Sequence, residues 1–307
     1  MFRLGEERLN VVMRNGRVLV LGASGMLGHK LFLRLSSYEN LDVFATARYK
    51  SSWAKALPTE LLNNLQLNVD ANDLGSLITA INVIKPDLVI NCIGIVKQGS
   101  YGQDALTNIS INALLPHRLA LICEEVGTRL LHISTDCVFS GNKGNYSETD
   151  IPDAIDLYGR SKLLGEVSYP HCLTLRTSII GHELQSQLGL IEWFFAQKDK
   201  VQGYTRHIYT GFPTVELADI IARYIIPNTS ISGIYHLSSD PISKYELLKL
   251  VASKYNQEIV IEPYGETFCD RSLDSSKFRY LTGFAPPSWP EMIDKMYQDY
   301  LTVPYGK

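Results

Sequence analysis

The stretch "RVLVLGASGMLGHKLFLRL", Arg17–Leu35, decides the fold class. Its first residues, 17–21, are an apolar run that ends in glycine and predicts a buried strand. Gly22, Gly25 and Gly28 follow, and apolar side chains then recur at helical spacing. Small residues between a strand and a helix let the backbone approach a pyrophosphate, whose charge is favourable at a helix N-terminus. The stretch therefore predicts the start of a dinucleotide-binding fold.

Strands and helices are predicted to alternate along the chain. Further apolar runs predict strands at residues 41–48, 87–96, 128–135, 172–180 and 233–239. Helical patterns occupy residues 112–127, 161–168, 182–200, 243–255 and 291–301. This alternation predicts right-handed crossovers, an α/β fold with a doubly wound parallel sheet, and a smaller C-terminal substrate lobe.

The predicted domain organisation divides the chain into three parts. Residues 1–16 are expected to be an N-terminal extension. Residues 17–177 form the dinucleotide-binding domain, to which roughly residues 208–240 return, while residues 178–207 and 241–307 form the substrate lobe.

The composition excludes several classes of protein. The 307 residues are 45% hydrophobic and 20% charged, with a net charge of −3 and no dense cluster of Lys and Arg. A nucleic-acid partner and an anionic membrane are therefore not expected, and no apolar run is long enough to span a bilayer. The five cysteines are scattered singly, which favours a reducing compartment over disulfides. We predict a cytoplasmic protein without a metal site and leave a homodimer open.

The end of the second predicted strand favours one cofactor over another. An acidic residue there would bind the ribose hydroxyl of NAD, but the sequence is "TARYK", Thr46–Lys50, with Arg48 and Lys50 and no acid. Arginine suits a 2′-phosphate through bidentate contact. We predict NADPH, with NADH as an alternative, and a solvated strand end is the structural explanation of the same residues.

Two tyrosine–lysine pairs with a spacing of four compete for a catalytic role. Tyr158 and Lys162 follow the predicted strand end "HISTDCVF", whereas Tyr245 and Lys249 lie in an amphipathic helix with no such strand before them. Residues four apart share one helix face, and ligands bind at the carboxyl edge of doubly wound sheets. The first pair is therefore predicted to be catalytic and the second to serve packing.

The chemistry of carbonyl reduction fits Thr135, Tyr158 and Lys162. A proton donor is needed at the carbonyl oxygen, and a free tyrosine, with a pKa of about 10, donates poorly. A nearby ammonium is expected to lower the pKa of Tyr158, and a hydroxyl from Thr135 can hold the carbonyl oxygen.

Six motifs occur in an order that resembles the extended short-chain dehydrogenase/reductases. They are "GASGMLG", "STD", "YGRSK", "RTSIIG", "GFPT" and "DRSLDSSK", and the match runs from about Arg17 to Tyr300. Specifically, the chain is similar to the dTDP-4-dehydrorhamnose reductase family of nucleotide-sugar 4-ketoreductases. The resemblance implies a Rossmann fold, NADPH-linked hydride transfer, a Thr135–Tyr158–Lys162 catalytic set and a contact of Lys162 with the nicotinamide ribose.

The candidate site residues follow from the motifs and the resemblance together. Those predicted to bind the cofactor are Gly22, Ser24, Gly25, Met26, Leu27, Gly28, Arg48, Lys50, Asp70, Cys92, Ile93, Gly94, Asn112, Ser134, Tyr158 and Lys162. Those predicted to bind a nucleotide-sugar substrate are Asp136, Cys137, Arg206 and Arg271, the last two because arginine can take a diphosphate bidentately. A solvated loop is the alternative explanation of Arg206.

Departures from the family pattern leave the substrate and some alternatives open. Cys137 replaces the tyrosine common after "STD", so both dTDP-4-dehydrorhamnose and a UDP-2-acetamido-2,6-dideoxy-4-hexulose are expected candidates, each for surface polysaccharide synthesis. A 4,6-dehydratase is disfavoured because a cysteine stands where that family has glutamate. A 4-epimerase with bound NAD remains open. So does a non-catalytic NADP-binding partner like the regulatory subunit of methionine adenosyltransferase.

Overall fold

Seven parallel strands form the central sheet of the protein. The structure is a computed structural model that describes residues 16–99, 101–303 and 305. In chain order, the strands of the described residues, both inside and outside this sheet, are β1 (Gly16–Leu21), β2 (Leu41–Thr46), β3 (Leu65–Gln66), β4 (Leu88–Asn91), β5 (Arg129–Thr135), β6 (Cys172–Thr177), β7 (Ile179–Ile180), β8 (Lys200–Tyr204), β9 (His207–Tyr209), β10 (Phe212–Pro213), β11 (Gly233–His236), β12 (Ile242–Ser243), β13 (Val260–Tyr264) and β14 (Cys269–Asp270).

The strand order places a crevice at the carboxyl ends of the central strands. The order is β11-β6-β5-β4-β1-β2-β3, and every pair is parallel. The chain leaves β1 for β2 on one side and reaches β4 on the other, so the order reverses between β1 and β4. A doubly wound sheet opens its ligand crevice at this point. The predicted fold class, an α/β fold with a doubly wound parallel sheet, is confirmed.

Helices cover both faces of the sheet. They are α1 (Met26–Leu35), α2 (Leu74–Ile84), α3 (Ala105–Asn108), α4 (Leu115–Glu125), α5 (Leu157–Leu164), α6 (Leu190–Phe195), α7 (Thr214–Ile220), α8 (Lys244–Lys254), α9 (Ser276–Thr282) and α10 (Trp289–Thr302). A π-helical segment, Ile109–Leu114, joins α3 to α4, and a second one, Ile221–Ile225, extends α7.

Alternating side chains of the strands build two separate cores. Val18 and Val20 of β1 pack with α1, α7 and α10 on one face. Leu19 and Leu21 pack with α2 and α4 on the other. Because both faces are covered, the inner strands are mostly apolar, which explains why their sequences are nearly continuous hydrophobic runs.

The remaining strands lie outside the large sheet. β9 pairs with β12 and β14, β8 pairs with β13, and β10 pairs with β7. The seventh strand of the main sheet, β11, comes from within residues 208–240, while the assignment of the other C-terminal segments to a separate lobe stays a prediction. Gly16 is the first residue of β1, and the rest of the predicted N-terminal extension lies outside the described residues.

Two predicted elements differ from the structure over much of their length. The helix predicted over residues 182–200 is wrong for most of its length: Glu183 accepts the backbone N–H groups of Leu188 and Gly189 and forms a turn, so only α6 is helical. The strand predicted over 87–96 ends at Asn91, because the Asn112 side chain binds both the N–H and the carbonyl of Ile95 in its place. Among the described residues, no helix has the length and apolar character needed to cross a membrane.

Candidate active site

The candidate catalytic residues meet at the carboxyl end of β5. Thr135 is the last residue of that strand, and its hydroxyl accepts the backbone N–H of Cys137 at 3.1 Å. Helix α5 begins at Leu157, with the Asp156 side chain capping it through the N–H of Gly159 at 2.9 Å. Tyr158 is therefore in the first turn of α5, as predicted, and Lys162 is one turn further on.

Gly159 allows α5 to lie directly on the segment after β5. A Cβ atom on this residue would be only 2.2 Å from the carbonyl oxygen of Cys137. No side chain fits in that space, so glycine in "YGRSK" sets the separation between the helix and the strand end. This contact brings Tyr158 close to Thr135, whose hydroxyl donates to the Asp136 carboxylate at 3.2 Å.

The pKa of Tyr158 differs from the expectation. We predicted that the Lys162 ammonium would lower it, but burial raises the pKa of Tyr158 above its usual range, and the neighbouring Cys137 adds to the rise. The polar hydroxyl of Thr135 acts in the opposite direction. That prediction is wrong for the folded chain because desolvation of the phenolate outweighs the charges around it. Tyr158 is thus a protonated phenol at neutral pH, which is the form that can donate a proton.

Lys162 is buried and makes its contacts with β5. Its Nζ atom donates to the carbonyl oxygen of Ile133 at 2.7 Å and lies 3.5 Å from Nε2 of His132. Burial lowers the pKa of Lys162 to about 8, while Glu166 and Cys92 favour the ammonium and oppose this effect. The lysine therefore titrates close to neutral pH.

The glycine loop has the shape of a phosphate cradle. A Cβ atom on Gly28 would lie 2.1 Å from the carbonyl oxygen of Gly22, so the loop and the first turn of α1 touch through their backbones. No side chain caps the N-terminus of α1 at Gly25, and Ser24 and Gly25 are exposed. Uncapped N–H groups at a helix N-terminus suit a diphosphate, so these residues fit a dinucleotide.

Other predicted cofactor residues surround this loop. Ile93, after β4, is the nearest neighbour of Gly22, and the following Gly94 lies against the Asn112 side chain. Cys92 interacts electrostatically with Lys162, which places the end of β4 between the glycine loop and the catalytic lysine.

The outer predicted cofactor residues flank β2 and β3. Arg48 and Lys50 are exposed directly after β2, and the Arg48 guanidinium lies 5.8 Å from the Tyr49 ring centroid. Asp70 is half-buried, and its carboxylate accepts the Asn72 N–H at 2.8 Å. A contact of these residues with the adenosine end of a dinucleotide stays a prediction.

The side chains of two predicted cofactor residues are engaged within the protein. The Leu27 side chain is part of the hydrophobic core. The Ser134 hydroxyl donates to Glu166 at 2.7 Å, and Glu166 forms a buried ion pair with Arg176. By contrast, Met26 is half-buried beside Gly189.

Asp136 and Cys137 continue from the catalytic strand towards the predicted sugar site. Burial raises the pKa of Asp136, although the charges of Arg271 and Lys244 oppose the rise. Burial also raises the pKa of the Cys137 thiol to about 12, with the neighbouring Asp136 adding to it. Cys137 is therefore a neutral thiol and a poor nucleophile at physiological pH.

Arg271 lies beside Asp136 and Cys137, whereas Arg206 has a different neighbour. The Arg271 side chain donates to the Phe139 carbonyl at 2.9 Å, and its Nη1 lies 3.9 Å from the Cys137 sulfur. A cavity of about 300 Å³ opens beside it, lined also by Lys97. The exposed Arg206 instead lies 5.4 Å from the Phe268 ring centroid.

The second tyrosine–lysine pair has a different environment. Tyr245 in α8 packs against Gly203 of β8, and the exposed Lys249 pairs with Glu246 and lies 5.0 Å from the Tyr245 ring centroid. Its placement fits the packing role expected for it.

Several residues near the site had no place in the sequence prediction. His132 lies 3.5 Å from the Lys162 amine, and the charge of Lys244 opposes the rise in the pKa of Asp136. Burial raises the pKa of Tyr209, and the nearby Asp136 and Cys137 add to this rise. His132 stands at an inner position of a buried strand, where a polar residue is itself a signal. Within residues 16–99, 101–303 and 305, no group of three or more His, Cys, Asp or Glu side chains could hold a metal ion.

Comparison with known proteins identifies the family. The model for the RmlD substrate binding domain matches residues 16–302. The chain belongs to the RmlD substrate binding domain family. Among relatives, methionine adenosyltransferase 2 subunit beta from Mus musculus is 26% identical, over 96% of this chain and 93% of that protein. A dTDP-4-dehydrorhamnose reductase from Aggregatibacter actinomycetemcomitans is 24% identical, over 90% of this chain and 97% of the enzyme.

A solved structure shows the same fold. The dTDP-4-dehydrorhamnose reductase from Bacillus anthracis, solved in complex with NADP, has a TM-score of 0.74 at 22% identity. The alignment covers 93% of this chain and 98% of that one. The chain is thus similar both to proteins named as reductases and to a protein named as a subunit of methionine adenosyltransferase.

Proposed function

We propose that the protein is an NADPH-dependent reductase of the 4-keto group of a nucleotide-linked 6-deoxy-4-hexulose. The observation that carries this proposal is the arrangement of Thr135, Tyr158 and Lys162 at the carboxyl end of β5, one strand away from the β4 end that packs on the glycine loop. A proton donor therefore lies beside the loop that is proposed to bind the dinucleotide.

The three side chains have separable tasks. Tyr158, protonated because partial burial raises its pKa, donates its proton to the carbonyl oxygen of the substrate. The Thr135 hydroxyl holds that oxygen in line, which is electrostatic preorganisation. After this transfer Tyr158 is a phenolate. Lys162, with a pKa of about 8, donates a proton towards that phenolate or stabilises it by its positive charge. A nicotinamide cofactor, when bound along the same edge, would supply the hydride.

The cofactor preference rests on the end of β2. Arg48 and Lys50 are exposed there and no acidic side chain follows the strand directly. A guanidinium favours the 2′-phosphate of NADPH, whereas NAD is favoured by an acid that binds the ribose hydroxyl. The structural relative from Bacillus anthracis was solved with NADP, which supports this choice.

The substrate is proposed from the groups beyond Tyr158. Asp136 and Cys137 offer one buried carboxyl group and one small thiol to a sugar, and Arg271 with Lys97 offers positive charge to a diphosphate beside a cavity of about 300 Å³. Both a dTDP-linked and a UDP-linked 4-keto-6-deoxysugar fit this chemistry. The reductase from Aggregatibacter actinomycetemcomitans supports the dTDP-linked one.

A regulatory role is the second candidate. It is favoured by the similarity to methionine adenosyltransferase 2 subunit beta, which spans 93% of that protein. On this alternative the chain would bind a dinucleotide and a partner without turnover. The half-buried, protonated Tyr158 beside Thr135 favours the reductase.

The deciding experiment offers the protein a panel of substrates. The protein would be incubated with NADPH and either dTDP- or UDP-linked 4-keto-6-deoxysugars, and cofactor absorbance and product would be followed. We expect oxidation of NADPH that depends on one of the sugars, with a 4-hydroxy product. Tight binding of NADPH without turnover of any sugar in the panel would favour the regulatory alternative.

A further inference from the structure

A row of buried polar groups leads to the Lys162 amine and has no task in the proposed reaction. The backbone N–H of Ile93 donates to Oδ1 of Asn91 at 3.1 Å. Nδ2 of Asn91 lies 3.1 Å from Nδ1 of His132, whose Nε2 lies 3.5 Å from Nζ of Lys162. Asn91 and His132 are cross-strand neighbours in β4 and β5, and both are fully buried.

The Ile93 N–H fixes the direction of every hydrogen bond in this row. Because Oδ1 of Asn91 accepts from that N–H, the amide nitrogen Nδ2 faces His132 and can only donate. Nδ1 of His132 therefore accepts and carries no proton. Burial, with the charge of Lys162 second, holds the pKa of His132 well below its usual range, so the ring is neutral. A neutral ring without a proton on Nδ1 has it on Nε2.

The Nε2–H group then points at the lysine amine. A neutral amine has two N–H bonds and a lone pair, so it can donate to the Ile133 carbonyl at 2.7 Å and accept from His132. An ammonium has no lone pair and meets the positive end of the ring N–H dipole instead. The arrangement favours the neutral amine.

The other groups around Lys162 do not remove this preference. Glu166 favours the ammonium, but its carboxylate is already bound by Arg176 and Ser134. Burial raises the pKa of the Cys92 thiol to about 12, which leaves it uncharged near neutrality. The ring nitrogen of His132 is thus the polar group that distinguishes the two forms of the lysine by hydrogen-bond direction.

We propose that His132 is a positioning residue that controls the protonation of Lys162, with Asn91 fixing its tautomer. His132 acts through the lysine and touches neither substrate nor the reacting atoms. The inference deepens the proposed reductase function, since a lysine poised between two protonation states can pass a proton towards Tyr158. The protonation itself is a property of the folded chain and needs no substrate.

The first test observes the tautomer directly. Ring nitrogen shifts would be recorded on the full chain labelled with ¹⁵N-histidine at neutral pH, and the His132 signals assigned by their loss in His132→Gln. We expect a protonated Nε2 and an unprotonated Nδ1. The opposite tautomer, or a charged ring, would overturn the proposal, and this test requires no variant to fold beyond the one used for assignment.

The second test follows the lysine. The titration of ¹³Cε in labelled lysine would be measured, with Lys162→Met for assignment. Asn91→Asp supplies a carboxylate that only accepts, so the ring proton moves to Nδ1 and Nε2 becomes an acceptor for the ammonium. We expect the Lys162 midpoint to rise by roughly one pH unit or more, the equivalent of an ordinary hydrogen bond.

A double-mutant cycle separates the tautomer from the added negative charge. In a His132→Phe background, Asn91→Asp should move the Lys162 midpoint by a clearly smaller amount, because no ring nitrogen transmits the change. An equal shift in both backgrounds would contradict the role of His132. His132→Gln, which can keep an N–H towards the lysine, should restore a midpoint close to that of the unmodified chain.

The consequence for turnover belongs to the proposed function. The alkaline limb of the pH profile of kcat should move with the Lys162 midpoint in Asn91→Asp, while KM for the sugar nucleotide changes little. If the tautomer and the midpoint behave as stated but no sugar is reduced, the protonation control stands and the proposed reductase function falls.

Discussion

At Tyr158 the proposed reaction depends on one oxygen atom. The Tyr158→Phe variant keeps the aromatic ring and removes the proton donor. We expect kcat to fall by about 10²–10⁴, the usual contribution of a general acid, with NADPH affinity within a few-fold of the original. The measurements are steady-state turnover of the best sugar from the panel and NADPH titration.

A matched control exists in the same chain. Tyr245→Phe alters a tyrosine that also stands four residues before a lysine, but in α8, and it should remain fully active. Near-normal kcat in Tyr158→Phe would show that a different group donates the proton.

Arg48 is the residue on which cofactor choice is expected to depend. It is exposed after β2, where its guanidinium can reach a 2′-phosphate. Arg48→Ala should weaken NADPH by roughly 1.5–3 kcal/mol, the range for a charged hydrogen bond, and leave NADH almost unchanged. Dissociation constants for both cofactors test this, with the nearby exposed Lys55→Ala as control. Equal weakening of the two cofactors would remove Arg48 from the phosphate site.

At the scale of elements, the β1–α1 junction combines two functions of glycine that can be separated. A methyl group on Gly28 would meet the Gly22 carbonyl oxygen at 2.1 Å, whereas one on Gly25 would find its nearest atom at 3.5 Å. Gly28→Ala should therefore destabilise the fold by about 1–3 kcal/mol or more, since backbone has to move. Gly25→Ala should leave stability nearly unchanged and weaken NADPH.

Urea unfolding and NADPH titration of the two glycine variants test this division. If Gly25→Ala bound NADPH normally, the loop backbone would not approach the phosphates. If Gly28→Ala were as stable as the original chain, the contact between loop and helix would not be tight in solution.

For the whole molecule, buried histidines predict a loss of stability in mild acid. Burial lowers the pKa of His29 to about 3, and burial also lowers the pKa of His132 and of His236. An unfolded histidine titrates near 6.5, so below that pH the unfolded chain binds more protons than the folded one. The stability that depends on these neutral histidines is therefore fully present above about pH 6.5, and it is lost progressively as the pH drops towards 5.

The size of this effect follows from linkage. Each histidine that stays neutral in the fold contributes a slope of about 1.4 kcal/mol per pH unit once the pH is below its unfolded pKa. Asp136, whose pKa burial raises, acts in the opposite direction as a single group. Urea midpoints at several pH values between 7 and 5 measure the slope, and His29→Gln should reduce it. A midpoint independent of pH across this window would contradict the prediction.

The sequence determined the class of the fold because its signals are local. The strand, glycines and helix of Arg17–Leu35 are consecutive, and the apolar runs at β4, β5 and β6 are long enough to identify buried strands. The ends of elements were less certain: the strand predicted over 87–96 ends at Asn91 because Asn112, on a helix that follows later in the chain, binds the Ile95 backbone. Such contacts leave no periodic pattern.

For the candidate site, too, local patterns predicted some features and only the folded chain decided others. The sequence by itself brought forward Thr135, Tyr158 and Lys162, since a polar strand end and a spacing of four on a helix are local patterns. Only the tertiary structure decided that burial raises the pKa of Tyr158 and that His132 faces Lys162. Desolvation and hydrogen-bond direction depend on which atoms of distant segments surround a group, and the folded chain alone specifies those neighbours.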